Sequence, residues 1–116
     1  MNEVDITYQV VVDPAANDRM YEHFEFMARV SETAAEKLLD GLLASIRSLE
    51  NMPQRNPVYA RPYLPSGKYR YLISCDRYRI VYQIEGNSVY VDDIQDCRQS
   101  EEQNKMRWQK SLTCDL

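Results

Sequence analysis

Long hydrophobic runs are missing from this chain, in which no stretch of apolar residues is longer than three. A membrane-spanning helix needs about 20 apolar residues, and a signal-peptide core roughly seven or more. Neither is encoded, and Glu3 and Asp5 stand where a signal peptide wants Lys or Arg. A cytoplasmic protein is expected. Cysteine is sparse too. Cys75, Cys97 and Cys114 are odd in number and widely spaced, which fits neither a disulfide framework nor a zinc site. They read as reduced thiols. Histidine occurs once, as His23 between two glutamates in the run Glu22-His23-Phe24-Glu25. Nothing in the sequence sets a serine or cysteine nucleophile against it, so a partly exposed structural histidine is expected.

What is present is an ordinary globular composition: 116 residues, 44% of them apolar. That length makes one domain, able to bury roughly two-thirds of its unfolded surface. The net charge of −4 is unevenly spread. Residues 1–52 hold ten acids and four bases, and residues 85–116 hold seven acids and four bases. Between them, Arg55, Arg61, Lys68, Arg70, Arg77 and Arg79 face Asp76 alone. A basic middle in an acidic protein is a candidate surface for an anion or an acidic partner.

Residues Val4 to Val12 alternate, with Val4, Ile6, Tyr8, Val10 and Val12 on one face, which predicts a strand. Asp13-Pro14 then starts a helix with Asp13 as cap and Pro14 in the first turn. Met20, Phe24, Met27 and Ala28 give it one buried stripe. Ser31 starts a second helix, with Ala35, Leu38, Leu39, Leu42, Ile46 and Leu49 as its apolar face and Pro53 as its stop. The short link makes the pair an antiparallel hairpin. Pro53, Pro57, Pro62 and Pro65 leave no helix over 53–67, so that segment is predicted to run extended, pinned by Tyr59 and Tyr63.

Three strands close the pattern between Lys68 and Gln99. Setting Tyr69, Tyr71 and Ile73 on one face with Tyr78, Ile80, Tyr82 and Ile84 pairs Ile73 with Ile80 and Tyr71 with Tyr82, through a turn centred on Asp76-Arg77. That register puts Arg70, Arg79 and Gln83 together on the face away from the helices. Gly86-Asn87 makes the next turn. In the last strand Val89 and Val91 point inward, and the alternation breaks at Asp92-Asp93 before Ile94, which predicts a bulge. The expected class is α+β: an N-terminal strand, an antiparallel helical hairpin, then a three-stranded antiparallel meander. Residues 1–99 form this domain, and residues 100–116, with Met106, Trp108 and Leu112, a polar C-terminal helix or tail.

This order resembles the RelE/ParE superfamily of type II toxin–antitoxin toxins. Ser31-Glu32-Thr33-Ala34-Ala35-Glu36-Lys37-Leu38-Leu39 is similar to the start of the family's second helix, and Leu49 with Pro53 to its end. Lys68-Tyr69-Arg70-Tyr71-Leu72 and Tyr78-Arg79-Ile80-Val81-Tyr82 resemble the first two strands of its sheet, and Ile94 to Gln99 the close of the last. The resemblance implies a small toxin neutralised by a cognate antitoxin, with no cofactor. RelE-like members cut mRNA in the ribosome; ParE-like members inhibit DNA gyrase.

A metal-independent nuclease must stabilise a dianionic phosphorane, a task that suits arginine. Arg79 matches the family's middle-strand arginine, and Arg70 and Arg98 would complete a phosphate clamp. The ribonuclease branch also carries a C-terminal tyrosine, where this chain reads Gln99-Ser100-Glu101-Glu102. A sequence pI near 5.0 is poorly suited to the many phosphate contacts of ribosome entry. Asp92, Asp93 and Asp96 lack metal-ligand spacing, because alternation splits the first two. The ParE-like, non-enzymatic reading is therefore favoured, with Arg61, Arg70, Arg79, Gln83 and Arg98 as candidate contacts to antitoxin or target. The alternatives are a ribosome-dependent endoribonuclease and an inactive homologue that only binds antitoxin.

Overall fold

The computed structural model describes residues 6–99. Strand β1 (Gln9–Val12) leads into helix α1 (Pro14–Ala28) and helix α2 (Glu32–Ser48), followed by β2 (Tyr69–Ser74), β3 (Tyr78–Glu85) and β4 (Ser88–Asp96). The N-terminal strand and the helical hairpin stand as predicted, although β1 begins only at Gln9. Residues Val4 and Met106, Trp108 and Leu112 lie outside the described residues.

Both helix starts follow from their caps. Asp13 accepts a hydrogen bond from the Ala15 amide at 2.9 Å, and Pro14 fills the first turn. Ser31 Oγ accepts from the Ala34 amide at 3.1 Å. Each satisfies a donor that a helix N-terminus otherwise leaves orphaned. Helix α2 ends at Ser48, before Pro53 is reached, and Pro53–Arg55 itself forms a single 3₁₀ turn.

The four strands form one sheet in the order β1-β4-β3-β2. Strand β1 runs parallel to β4, from Gln9 opposite Ser88 to Val12 opposite Val91. The remaining pairs are antiparallel. Residue Asp92 is skipped between the Tyr82–Val91 and Val81–Asp93 pairs, so the bulge lies where the alternation broke. It returns Ile94 to the core, where it is fully buried.

The β2–β3 register differs from the expected one by a single residue. Arg70 pairs with Tyr82, Leu72 with Ile80 and Ser74 with Tyr78. The turn carries two consecutive left-handed residues, Cys75 (φ 53°) and Asp76 (φ 67°), and closes with Arg77 N–H donating to Ser74 O. Left-handed backbone in two adjacent non-glycine residues is uncommon, so the sequence carried no marker for it. With a side-chain period of 2, one residue of slip exchanges the faces.

The sheet is covered on both sides. Both helices pack on one face through Ala16, Met20, Leu38, Leu42, Ile46 and Leu49, against Tyr78, Ile80, Tyr82, Val89, Val91 and Ile94. On the other face Tyr59 and Leu64, from the proline-rich segment, pack on Tyr69 and Val81, with Tyr63 and Tyr71 alongside. That segment also hydrogen-bonds the outer edge of β2: Tyr59 N–H donates to Tyr69 O at 2.8 Å, and Tyr71 N–H to Pro57 O at 3.1 Å. Tyr69 and Tyr71 thus belong to this second cluster and not to the helix-facing core.

Candidate functional site

Slipping the register separates the arginines. Arg70 lies on the helix side of the sheet, where its guanidinium donates to Asn56 O at 2.6 Å. Arg79 lies on the opposite side, beneath the proline-rich segment. It donates to Gln95 Oε1 at 2.8 Å, and its guanidinium carbon sits 5.2 Å from the Tyr59 ring centre and 5.7 Å from that of Tyr71. Arg61 lies against the same Tyr59 ring at 4.4 Å. Arg98, past the end of β4, makes a bidentate pair with Asp96 at 3.1 and 2.8 Å. Of the predicted set, Arg61 and Arg79 meet at the Tyr59 ring and Gln83 keeps the sheet face of Arg79, but the expected shared face for Arg70 and Arg79 does not form.

The remaining predicted positions are also engaged. Gln83 donates to Asp92 Oδ2 at 2.6 Å. Burial holds the Asp92 carboxyl above its ordinary value, against that bond, with Asp13 and Asp93 adding to the rise and Lys68 opposing it. Asp92 shares the face of Arg79, as alternation requires, but its partner is Gln83. Partial burial pushes the Asp96 carboxyl upward, yet the hydrogen bonds from Arg98 outweigh it and leave the group below the usual range. Cys75 and Cys97 are exposed free thiols, and Cys114 lies outside the described residues. The three aspartates hold three different partners: Gln83, Arg19 and Arg98.

A polar chain missed by sequence reasoning runs through the sheet from Arg79. Tyr59 Oη also donates to Gln95 Oε1, at 3.2 Å. Gln95 Nε2 donates to Asp93 Oδ2 at 2.9 Å, and Asp93 Oδ1 accepts from Arg19 Nη1 at 3.1 Å and from the Ile94 amide at 2.9 Å. Asp93, Gln95 and Arg19 are all buried. Asp93 follows the bulge and lies past Val91, the last β4 residue that β1 pairs with, and there Arg19 of α1 meets it. One signal for Arg19 was available: it lies three residues after Ala16 and four before His23, on the buried stripe of α1.

His23 is buried, at 7% exposure, which corrects the expectation of partial exposure. Its Nε2 donates to Ile94 O at 2.8 Å, and its ring lies tilted at 54° against that of Tyr78 with centres 4.9 Å apart. A carbonyl only accepts, so Nε2 carries the proton.

Across the second cluster, burial first and the Asp92 charge second push the Tyr69 hydroxyl from 10.0 up to about 12. The folded state favours the protonated phenol. Its contribution to stability is therefore complete below the unfolded pKa, near 10, and is lost as pH rises through about 12. Burial also raises the Tyr82 hydroxyl, so ultraviolet titration should show a late step to which Tyr69 contributes about two pH units above 10, and Tyr69→Phe should shrink that step by one tyrosine. A single transition near pH 10 in the folded protein would contradict this.

A clamp that grips phosphate needs cations converging on one point. Here the guanidinium groups of Arg70, Arg79 and Arg98 each bond a different partner within the fold, Asn56 O, Gln95 and Asp96, and do not converge.

No curated protein matches the chain. Among solved structures, one from the chromosomal ParDE TA system of P. aeruginosa superposes with a TM-score of 0.64 at 12% identity, over 79% of this chain and 98% of that one. At that identity the likeness speaks for the fold alone. The family model for the ParE toxin of the type II toxin–antitoxin system parDE matches residues 10–101. That span takes in both helices, β2 to β4, all of β1 but Gln9, and the polar chain from Arg19 to Arg79: the protein belongs to the ParE toxin family.

Proposed function

We propose that this toxin acts by binding a cellular target, DNA gyrase in the first instance, without cutting RNA. A cognate antitoxin neutralises it. The observation that carries this reading is the β2–β3 register, which sends Arg70 and Arg79 to opposite faces, while Arg98 is tied to Asp96. A ribosome-dependent nuclease built on those three arginines has no common cleft in which to hold a scissile phosphate. The surface offered to the antitoxin is the side of the proline-rich segment. There Arg61 and Arg79 flank Tyr59, with Gln83 on the same sheet face. Cations beside an aromatic ring suit an acidic, extended peptide.

Expression of the chain alone should arrest growth, and co-expression of its antitoxin should restore it. In extracts of arrested cells, gyrase supercoiling should fall while mRNA 5′ ends stay unchanged. Codon-positioned mRNA cuts would establish the nuclease instead. Unimpaired growth with a protein that still copurifies with antitoxin would identify an inactive homologue.

A further inference from the structure

We infer that Gln95 is the positioning residue of the antitoxin surface: its buried amide sets where Arg79 and Tyr59 stand, while it lies out of a partner's reach. Gln95 is 1% exposed and sits opposite Arg79 in the β3–β4 ladder. On one side of its amide is Asp93, an ionised carboxylate, which only accepts hydrogen bonds. On the other is Arg79, a guanidinium, which only donates. One orientation of the amide satisfies both. Nε2 donates to Asp93 Oδ2 at 2.9 Å, and Oε1 accepts from Arg79 Nη1 at 2.8 Å. A tyrosine hydroxyl can bond either way, but Tyr59 Oη meets that same oxygen, at 3.2 Å, and so donates.

Asp93 is held in turn by Arg19 and by the Ile94 amide. Turning the Gln95 amide over would set its oxygen against the carboxylate and its NH₂ against the guanidinium. The orientation is therefore fixed from the α1 side of the sheet and delivered to the other side. There the one oxygen holds both Arg79 and the ring that Arg61 and Arg79 flank. A partner meets side chains that are already ordered, which lowers the entropy cost of binding. The effect on binding rests on the antitoxin surface proposed above; the placement of Arg79 does not.

Two substitutions separate positioning from stability. Gln95→Met keeps the length and removes both bonds. Gln95→Glu keeps an acceptor for Arg79 and Tyr59 but sets a second carboxylate against Asp93. Both should unfold at lower urea, the first through stranded polar groups and the second through added buried charge. Only Gln95→Met should release Arg79. The Arg79 side-chain protons lie near the Tyr59 and Tyr71 rings, whose currents displace their NMR signals. Those signals should move to the free-arginine position in Gln95→Met and stay in place in Gln95→Glu. Affinity for the antitoxin that restores growth should fall about tenfold in Gln95→Met, a usual coupling within one hydrogen-bond network. Adding Gln95→Met to Arg79→Ala should then weaken binding no further. Gln95→Asn, whose amide is one methylene short, serves if Gln95→Met does not fold. Arg79 signals that stay in Gln95→Met, or that move equally in both variants, would overturn the inference. If Arg79 is released but Arg79→Ala binds antitoxin normally, the placement by Gln95 stands and the antitoxin surface lies elsewhere.

Discussion

Replacing Asp93 with alanine is expected to destabilise the protein by about 3–5 kcal/mol, the usual cost of stranding a buried charge. Asp93 is 1% exposed, and its partner Arg19 is 7% exposed. The substitution leaves the Arg19 guanidinium inside the fold without its carboxylate, and it also strips the acceptors of the Ile94 amide and of Gln95 Nε2. Removing both charges is a different experiment. Arg19→Met with Asp93→Leu should recover most of the loss, because a desolvated ion pair gains little over apolar groups of similar volume. Urea unfolding at constant m-value measures both. An Asp93→Ala loss below about 1 kcal/mol would mean that water reaches the pair, and that it behaves as a surface salt bridge.

Tyr82→Ala should cost a similar amount, about 3–5 kcal/mol, for a different reason. Tyr82 is fully buried at the centre of β3 and packs in the helix-facing core. Truncation leaves a cavity beneath α2 and removes a polar anchor as well. Its hydroxyl donates to Pro53 O at 2.6 Å and accepts from Asn56 Nδ2 at 3.0 Å, fastening the start of the proline-rich segment to the sheet. Tyr82→Phe isolates that anchor and should cost about 1–3 kcal/mol, the penalty for an unmet buried acceptor. If the two variants lost equal stability, the hydroxyl and not the ring would be what matters at this position.

These two residues also show how far the sequence could be read. The caps at Asp13 and Ser31, the Gly86-Asn87 turn and the bulge at Asp92 each left a local mark, because each rests on neighbours in the chain. The β2–β3 register left none. Alternation identifies a buried face only when the other face meets water. In this sheet Tyr69 and Val81 on one side are as buried as Ile80 and Tyr82 on the other. Both parities therefore looked apolar, and the deciding turn used Cys75 and Asp76 in place of glycine or asparagine. The candidate site inherited that ambiguity, since Arg70 and Arg79 could be grouped only by parity. Arg19 and Gln95 escaped notice because their burial is made by partners distant in sequence.

The parallel pairing of β1 with β4 bears on when this toxin becomes a toxin. The first strand of the described chain finds its partner only in the last. On the ribosome β1 waits without its neighbour while the helices and the other strands are made, and contacts between such distant segments form slowly. A nascent or truncated chain lacking Ser88–Asp96 has no central strand to join its two ends. The toxin domain can thus close only after Ser88–Asp96 has emerged to pair with Gln9–Val12.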